Sequence, residues 1–174
     1  MKHFLIVVDI QNDFVDGSLG TKEAVDIIDN AANFIKDFDG EILVTYDTHF
    51  EEYLNTSEGK KLPVTHCVKN TNGWQLNEKI QNALSLKEYT AVEKLTFGST
   101  ELSGIIKEKA GDEDFDITLI GLCTDICVVS NALILKANFY EKEIYVKENC
   151  CAGVTQESHN AALTTMKMCQ INII

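Results

Sequence analysis

The sequence predicts an α/β fold, a Rossmann-like three-layer sandwich around a mostly parallel six-stranded sheet. Short apolar runs bounded by polar turns recur along the 174 residues. They are largely unalternating, which is typical of parallel strands buried on both faces. Longer stretches with helical spacing separate these runs. Because right-handed crossovers place helices on both sides of a parallel sheet, this alternation of strand and helix predicts three layers.

The candidate elements follow in order along the chain. Six apolar runs are expected as strands: residues 4–8, 41–46, 90–93, 117–120, 144–146 and 171–174. Helical spacing of apolar residues is clearest over residues 24–35 and 161–169. Residues 49–74 instead have weak periodicity and contain the single proline, Pro63. A loop of this length in a compact domain is usually functional or mobile.

Length and composition narrow the class of protein. The 45% apolar content fits one globular domain spanning residues 1–174. A formal net charge of −12 disfavours nucleic acid and anionic membranes as partners and favours a small or neutral substrate. The first apolar run is too short for a secretion signal, and no run approaches the roughly 20 residues of a membrane span. A cytoplasmic protein with six reduced cysteines is therefore expected.

Two charged residues stand where predicted strands end. Asp9 closes the first apolar run, and a carboxylate there is costly unless it is paired or has a chemical role. The alternative interpretation is that Asp9 is an ordinary turn or helix-capping residue. Lys94 follows the third run, where the alternative is a solvated surface lysine. In doubly wound sheets ligands bind beyond the carboxyl ends of the strands, so both residues are candidates for a site.

A cysteine follows the fourth strand. The strand is expected to end at Gly121 and a helix to begin near Thr124, which places Cys127 in the first helical turn. We expect the free N–H groups and the helix dipole to lower the pKa of this thiol. The alternatives are a core cysteine, or Cys123 as the reactive residue. A thiol that met Asp9 and Lys94 would form an activated nucleophile beside its base.

A possible metal site begins at the end of the second strand. Asp47 and His49 are two residues apart, which in extended chain puts both on one side, and His66 follows at loop distance. One carboxylate and two imidazoles suit a divalent ion such as Zn, Mn or Fe. The alternative is that both histidines are ordinary loop residues.

Three motifs together resemble those of the isochorismatase-like hydrolase superfamily. Residues 9–14 (DIQNDF) resemble its opening motif, residues 121–128 its cysteine motif, and Lys94 with residues 97–99 its lysine segment. The resemblance covers essentially the whole chain. It implies that Asp9, Lys94 and Cys127 are the catalytic triad.

The cysteine motif carries two further implications of the resemblance. The Leu122–Cys123 peptide bond is expected to be cis, and the backbone N–H groups of Cys123 and Cys127 to form an oxyanion hole. True isochorismatases lack the nucleophilic cysteine, so Cys127 favours hydrolysis of an amide.

Within the superfamily, the metal residues look like those of nicotinamidases. This implies a divalent metal, conversion of nicotinamide to nicotinic acid and ammonia through a cysteine thioester, a role in NAD salvage and a homo-oligomer. Phe14 is implied as a ring-stacking wall of the substrate pocket. Leu62 stands where the family usually has an aromatic residue, and Trp74 is expected to compensate for it or else to pack in the protein. Glu58 is left open as a further ligand.

Two other functions remain open at this point. One is a related amidase that acts on another small amide or a carbamoyl compound. The other is a thiol redox or metal-binding module, although Cys123 and Cys127 are four residues apart and do not form a Cys-X-X-Cys pair. Cys150 and Cys151 are expected to be packing residues, and Cys169 to lie on the apolar side of the last helix.

Overall fold

The computed structural model describes residues 1–174 and contains one six-stranded sheet with the strand order β3-β2-β1-β4-β5-β6. Every neighbouring pair is parallel, so the predicted α/β sandwich is confirmed and its sheet is fully parallel. The strands are β1 Lys2–Val8, β2 Glu41–Asp47, β3 Tyr89–Lys94, β4 Phe115–Leu122, β5 Ile144–Ala152 and β6 Asn172–Ile173.

Eight α-helices and two shorter helical segments complete the fold. The helices are α1 Asn12–Val15, α2 Lys22–Asp26, α3 Ile28–Asp37, α4 Ser57–Lys61, α5 Glu78–Leu84, α6 Leu102–Ala110, α7 Val129–Asn138 and α8 Gln156–Met168. A 3₁₀ turn covers Tyr53–Asn55 and a π-helical turn covers Thr124–Val128. None of these helices combines the length and the apolar character needed to cross a bilayer.

The central strand explains why the apolar runs do not alternate. Residues 4–8 of β1 are fully buried. Phe4, Ile6 and Val8 face the core cluster that contains α6, α7 and α8, whereas Leu5 and Val7 face the cluster that contains α1, α2, α3 and α5. Both faces of the strand are therefore apolar, and each such side chain stabilises the fold by about 1.5–3 kcal/mol.

Three elements differ from the sequence-based expectation. Strand β5 runs to Ala152 rather than ending near residue 146, because the polar, partly exposed residues 147–149 interrupt the apolar pattern before the buried residues 150–152. The stretch 24–35 is divided at Ile27 into two helices. Cys169 is exposed and not part of the core, since α8 ends at Met168 and the chain then turns through Gln170, whose φ is 61°.

Two β-bridges hold the long segment after β2 in place. His49 pairs with Val68 in a parallel bridge within the segment, and Leu76, just beyond it, pairs with Gln11 in an antiparallel one. Between them, Thr56 caps α4 by accepting a hydrogen bond from the Gly59 N–H at 3.0 Å. A helix of five residues is too short for periodicity to predict, so this segment was expected as a loop.

Candidate active site

The register of the sheet brings the carboxyl ends of four strands to one edge. Val8 at the end of β1 pairs with Thr45 of β2 and with Gly121 of β4, and Asp47 of β2 pairs with Lys94 of β3. The chain order reverses between β1 and β4, which is where open α/β sheets bind ligands. Residues far apart in sequence therefore meet at this switch point.

Lys94 lies at the centre of the site. Its Nζ is 2.6 Å from Asp9 Oδ2, 3.7 Å from Cys127 Sγ and 3.5 Å from Asp47 Oδ1. Its third close oxygen neighbour is the Thr96 carbonyl, to which Nζ donates a hydrogen bond at 3.0 Å. One ammonium thus contacts the predicted base, the predicted nucleophile and the first predicted metal ligand.

Asp9 is fully buried and adopts a left-handed backbone conformation with φ of 47°. Its Oδ1 accepts a hydrogen bond from Thr45 Oγ1 at 2.6 Å. Its Oδ2 lies 2.6 Å from the Lys94 ammonium in a buried ion pair. A carboxylate oxygen in such a pair keeps a lone pair that can accept a proton.

The buried environment sets the protonation of these groups. Burial raises the pKa of the Asp9 carboxyl, an effect that the Lys94 charge only partly offsets. Burial and then the Asp9 charge raise the pKa of the Cys127 thiol well above its ordinary value. The helix terminus was expected to lower that pKa. The pKa is raised instead, because the cost of burying a thiolate exceeds the stabilisation that the Lys94 charge gives it.

Cys127 lies in the π-helical turn that connects β4 to α7. The turn begins after Cys123, and the Leu122–Cys123 peptide bond is cis. Thr124, the first residue of the turn, is fully buried, and its Oγ1 lies 2.8 Å from His159 Nδ1. Cys127 itself is buried, with 4% of its surface exposed.

Asp47, His49, Glu58 and His66 offer four ligand atoms that lie within 4.8 Å of one another. Asp47 Oδ2 is 3.1 Å from His49 Nε2 and 3.5 Å from His66 Nε2. Glu58 Oε1 is 3.7 Å from each of the same two nitrogens. The carboxylate and imidazole donors fit a borderline divalent ion such as zinc.

Two further details of this cluster suit a cation. His66 Nδ1 lies 2.7 Å from the Val64 carbonyl, so Nδ1 carries the proton and Nε2 keeps its lone pair for a metal. Burial and the nearby Asp47 charge raise the pKa of the Glu58 carboxyl. A divalent cation between the two carboxylates would remove that repulsion.

Three residues that sequence reasoning did not assign hold the site together. Gln11 clamps the backbone of Asp47: Nε2 donates to the Asp47 carbonyl at 2.9 Å, and Oε1 accepts from the Asp47 N–H at 2.8 Å. Tyr53 packs edge-on against His49, with ring centroids 4.6 Å apart. Thr45 holds the carboxylate of Asp9. Gln11 lies in the opening motif, so the sequence could have indicated its role. Nothing in the sequence pointed to Tyr53 or Thr45.

A cavity of about 600 Å³ opens beside the Lys94 site and the four possible metal ligands. His49 and Glu58 line it, as does Ile126, the residue before the nucleophile candidate. Leu62 lines the cavity and is 39% exposed, which places it at the rim. The ring of Phe14 is buried with its centroid 5.5 Å from that of His66, so it lies against the ligand cluster.

The structure does not bring Trp74 to this cavity. Its ring stacks on Tyr46 with centroids 5.0 Å apart, and both line a separate cavity of about 250 Å³. The reason is the alternation of strand β2, which points Tyr46 to the sheet face opposite to that of its neighbours Thr45 and Asp47. Trp74 therefore matches the packing alternative, with its Nε1 donating to Thr48 Oγ1 at 2.9 Å.

Comparison with known proteins identifies the family. The family model described as the isochorismatase domain matches residues 3–174. The chain belongs to the isochorismatase family. A Bacillus subtilis protein of this isochorismatase family, named PncA and described as uncharacterized, is 32% identical, with the alignment covering 94% of this chain and 93% of that protein.

Two solved structures of this family are also similar. The pyrazinamidase/nicotinamidase of Streptococcus mutans superposes with a TM-score of 0.85 at 27% identity, covering 99% of each chain. The pyrazinamidase of Pyrococcus horikoshii, crystallised in complex with zinc, superposes with a TM-score of 0.81 at 26% identity, covering 100% of this chain and 99% of that one.

Proposed function

We propose that this isochorismatase-family protein is a cysteine amidohydrolase that converts nicotinamide to nicotinic acid and ammonia. The observation that carries the proposal is the position of Lys94 Nζ, within 2.6 Å of Asp9 and 3.7 Å of Cys127 and in contact with the ligand cluster through Asp47. Similarity to a nicotinamidase/pyrazinamidase along the whole chain supports the substrate class. The reaction would serve NAD salvage.

The first half of the reaction forms a thioester. Asp9 takes the proton of the Cys127 thiol, and the sulfur attacks the amide carbonyl carbon. The raised pKa of the Asp9 carboxyl suits it to accept that proton. Backbone N–H groups of Cys123 and Cys127 donate hydrogen bonds to the oxyanion. Asp9 then returns the proton to the departing nitrogen, the C–N bond breaks and ammonia leaves.

The second half regenerates the thiol. A water molecule gives a proton to Asp9 and attacks the thioester carbonyl, so the C–S bond breaks and nicotinic acid forms. The proton on Asp9 returns to the Cys127 sulfur. Lys94 remains a cation throughout, since the charges of Asp9, Cys127 and Asp47 hold its pKa above the usual range despite burial. Its charge stabilises the ionised form of Asp9 and of the sulfur.

The ligand cluster is assigned to substrate binding. Asp47, His49 and His66, with Glu58 as the fourth residue, would hold a divalent ion, and zinc is favoured by the zinc complex of the Pyrococcus horikoshii protein. Such an ion would supply a Lewis acid for the pyridine nitrogen, and this interaction would orient the ring. Phe14 would provide a wall for that ring and Leu62 the rim of the pocket.

The test compares two cysteine variants in an ammonia-release assay on nicotinamide. Cys127→Ala is expected to lower the rate by at least about a thousandfold, because the variant lacks the sulfur that forms the thioester. Cys169→Ala is the matched control, since this exposed cysteine lies outside the site and its loss should leave the rate unchanged. Persistent activity of Cys127→Ala contradicts the proposal. Faster, chelator-insensitive hydrolysis of a carbamoyl compound would instead favour the related amidase.

A further inference from the structure

Asn131 is a fully buried side chain on α7 that the proposed reaction does not use. Its Nδ2 donates to the Cys127 carbonyl at 2.8 Å and to the Phe97 carbonyl at 3.2 Å. Its Oδ1 accepts from the Ser99 N–H at 2.8 Å. These partners fix the orientation of the amide, because only its oxygen can accept from an N–H and only its nitrogen can donate to carbonyls.

The three hydrogen bonds join two parts of the site that are distant in sequence. One is the π-helical turn that carries Cys127, and the other is the loop 95–99 after β3. The same loop contains Thr96, whose carbonyl accepts a hydrogen bond from Lys94 Nζ at 3.0 Å. A closed chain of contacts therefore runs from Lys94 through the loop and Asn131 to Cys127, and returns to Lys94 across 3.7 Å.

We propose that Asn131 is a positioning residue that fixes the distance between the Cys127 sulfur and the Lys94 ammonium. It does so by linking the nucleophile turn to the loop 95–99. Displacement of reacting groups by about 1 Å can lower an enzymatic rate about a hundredfold, so a link of this kind has a measurable effect. The loop also supplies Phe97 to the cavity wall, so the link holds the wall and the nucleophile in one arrangement. Only the assignment of Cys127 as nucleophile rests on the proposed function.

Two variants distinguish the hydrogen bond from Asn131 to the Cys127 carbonyl from the link between Asn131 and the loop 95–99. Asn131→Asp keeps the shape and the acceptor for the Ser99 N–H but loses both donors. Asn131→Ser keeps a donor for the carbonyl four residues earlier, as Ser130 already shows by donating to the Ile126 carbonyl at 2.6 Å, but cannot reach the loop.

The matched control lies on the same helix. Asn138 Nδ2 donates to the carbonyl of Ile134, also four residues earlier, at 2.9 Å, and this side chain is far along α7 from the nucleophile turn. Asn138→Asp therefore changes the same chemical group without changing the link. Ile35→Val, in the core on the opposite face of the sheet, serves as a variant that weakens only the fold.

Two rates are measured on each folded variant: kcat for nicotinamide hydrolysis, and the rate constant for alkylation of Cys127 by iodoacetamide, followed by peptide mass spectrometry. Both are expected to fall at least about tenfold in Asn131→Asp and in Asn131→Ser. Both should stay within about twofold of wild type in Asn138→Asp and Ile35→Val. A merely structural role would lower the unfolding temperature without changing the alkylation rate.

Wild-type rates in Asn131→Ser overturn the proposal, whatever its unfolding temperature. If Asn131→Asp does not fold, Asn131→Ser alone decides by the same two rates. If the wild-type protein releases no ammonia from nicotinamide, the proposed function fails, while the alkylation rates still decide the role of Asn131.

Discussion

Cys127 is a resting thiol rather than a resting thiolate. Burial and the charge of Asp9 raise its pKa, and the Lys94 ammonium at 3.7 Å does not reverse this. The carboxyl of Asp9 has a raised pKa for the same reason of burial. A raised pKa makes the ionised Asp9 carboxylate a stronger base than an ordinary aspartate, which lowers the cost of taking the proton from the Cys127 thiol.

The first prediction at the scale of the residue concerns the pH dependence of this thiol. Only the thiolate reacts with iodoacetamide, and a raised pKa keeps the thiolate fraction small at neutral pH. The alkylation rate of Cys127 should therefore rise about tenfold per pH unit between about pH 7 and 9. The measurement uses the Cys169→Ala protein, which lacks the exposed cysteine. A rate that levels off near pH 7 contradicts the assignment of a resting thiol.

The second prediction concerns the cation between the acidic groups. Replacing Lys94 by Met leaves Asp9 and Asp47 close together in the interior without a counter-charge. The free energy of unfolding should fall by about 3–5 kcal/mol, as is typical when one partner of a buried ion pair is removed. Urea denaturation measures this change.

The control for this prediction is a surface ion pair. Lys69 Nζ lies 2.6 Å from Glu93, with both side chains well exposed. Lys69→Met should change the free energy of unfolding by no more than about 1 kcal/mol, because solvent screens such pairs. An equal fall in the free energy of unfolding in both variants would mean that the buried ion pair contributes no more to stability than the surface pair.

Helix α8 contacts the π-helical turn that carries Cys127. It carries His159, whose Nδ1 lies 2.8 Å from Thr124 at the start of that turn. The helix begins with a capping box in which Thr155 accepts from the Ser158 N–H at 3.1 Å and Ser158 Oγ accepts from the Thr155 N–H at 3.1 Å. The cap fixes the first turn of the helix, where His159 lies.

The prediction at the scale of the element follows from this cap. Thr155→Ala should lower the free energy of unfolding by about 1 kcal/mol, because the cap satisfies helix N–H groups that would otherwise lack partners. Thr164→Ala is the control on the same helix, since this exposed threonine donates only to the Asn160 carbonyl. Thermal unfolding of the two variants checks the prediction. A Thr164→Ala loss as large as that of Thr155→Ala would exclude a specific role of the cap.

At the scale of the whole molecule, the ligand cluster connects β2 with the long segment that follows it. Asp47 belongs to the sheet, whereas Glu58 lies on α4 and His66 beyond it. A bound ion would therefore join the segment to the sheet and stabilise the folded state over the unfolded one. At free zinc about 100-fold above its Kd, linkage gives about 2.7 kcal/mol, and for a chain of this size Tm should rise by roughly 5–10 °C.

A variant of Glu58 tests this last prediction. Glu58→Gln should reduce the zinc-dependent rise in Tm, because the neutral amide is a weaker ligand. The same variant should raise Tm in the absence of metal, since it removes a partly buried charge that repels Asp47. Glu51→Gln, an exposed acid of the same segment, is the control and should respond to zinc as wild type does. A Tm that does not change with zinc contradicts metal binding.

Much of the fold could be predicted from local patterns. The six apolar runs, the helices between the strands and the polar residues at the strand ends are properties of short sequence segments, and burial on both faces makes such segments apolar throughout. The half of β5 beyond residue 146 and helix α4 escaped prediction, because polar residues 147–149 interrupt the first and the second has only five residues. The exposure of Cys169 escaped because helical spacing continues past the residue at which the helix ends.

The parallel sheet and the candidate groups at its carboxyl edge, among them Asp9, Lys94 and Cys127, could be predicted from local patterns, because apolar runs and the polar residues that end them are visible in short segments. The strand order and the contacts between distant segments came from the three-dimensional structure. It placed Glu58 beside the two histidines, left Trp74 in another cavity and raised rather than lowered the pKa of the nucleophile candidate. These outcomes depend on burial and on distances across the sheet, which no local stretch of sequence encodes.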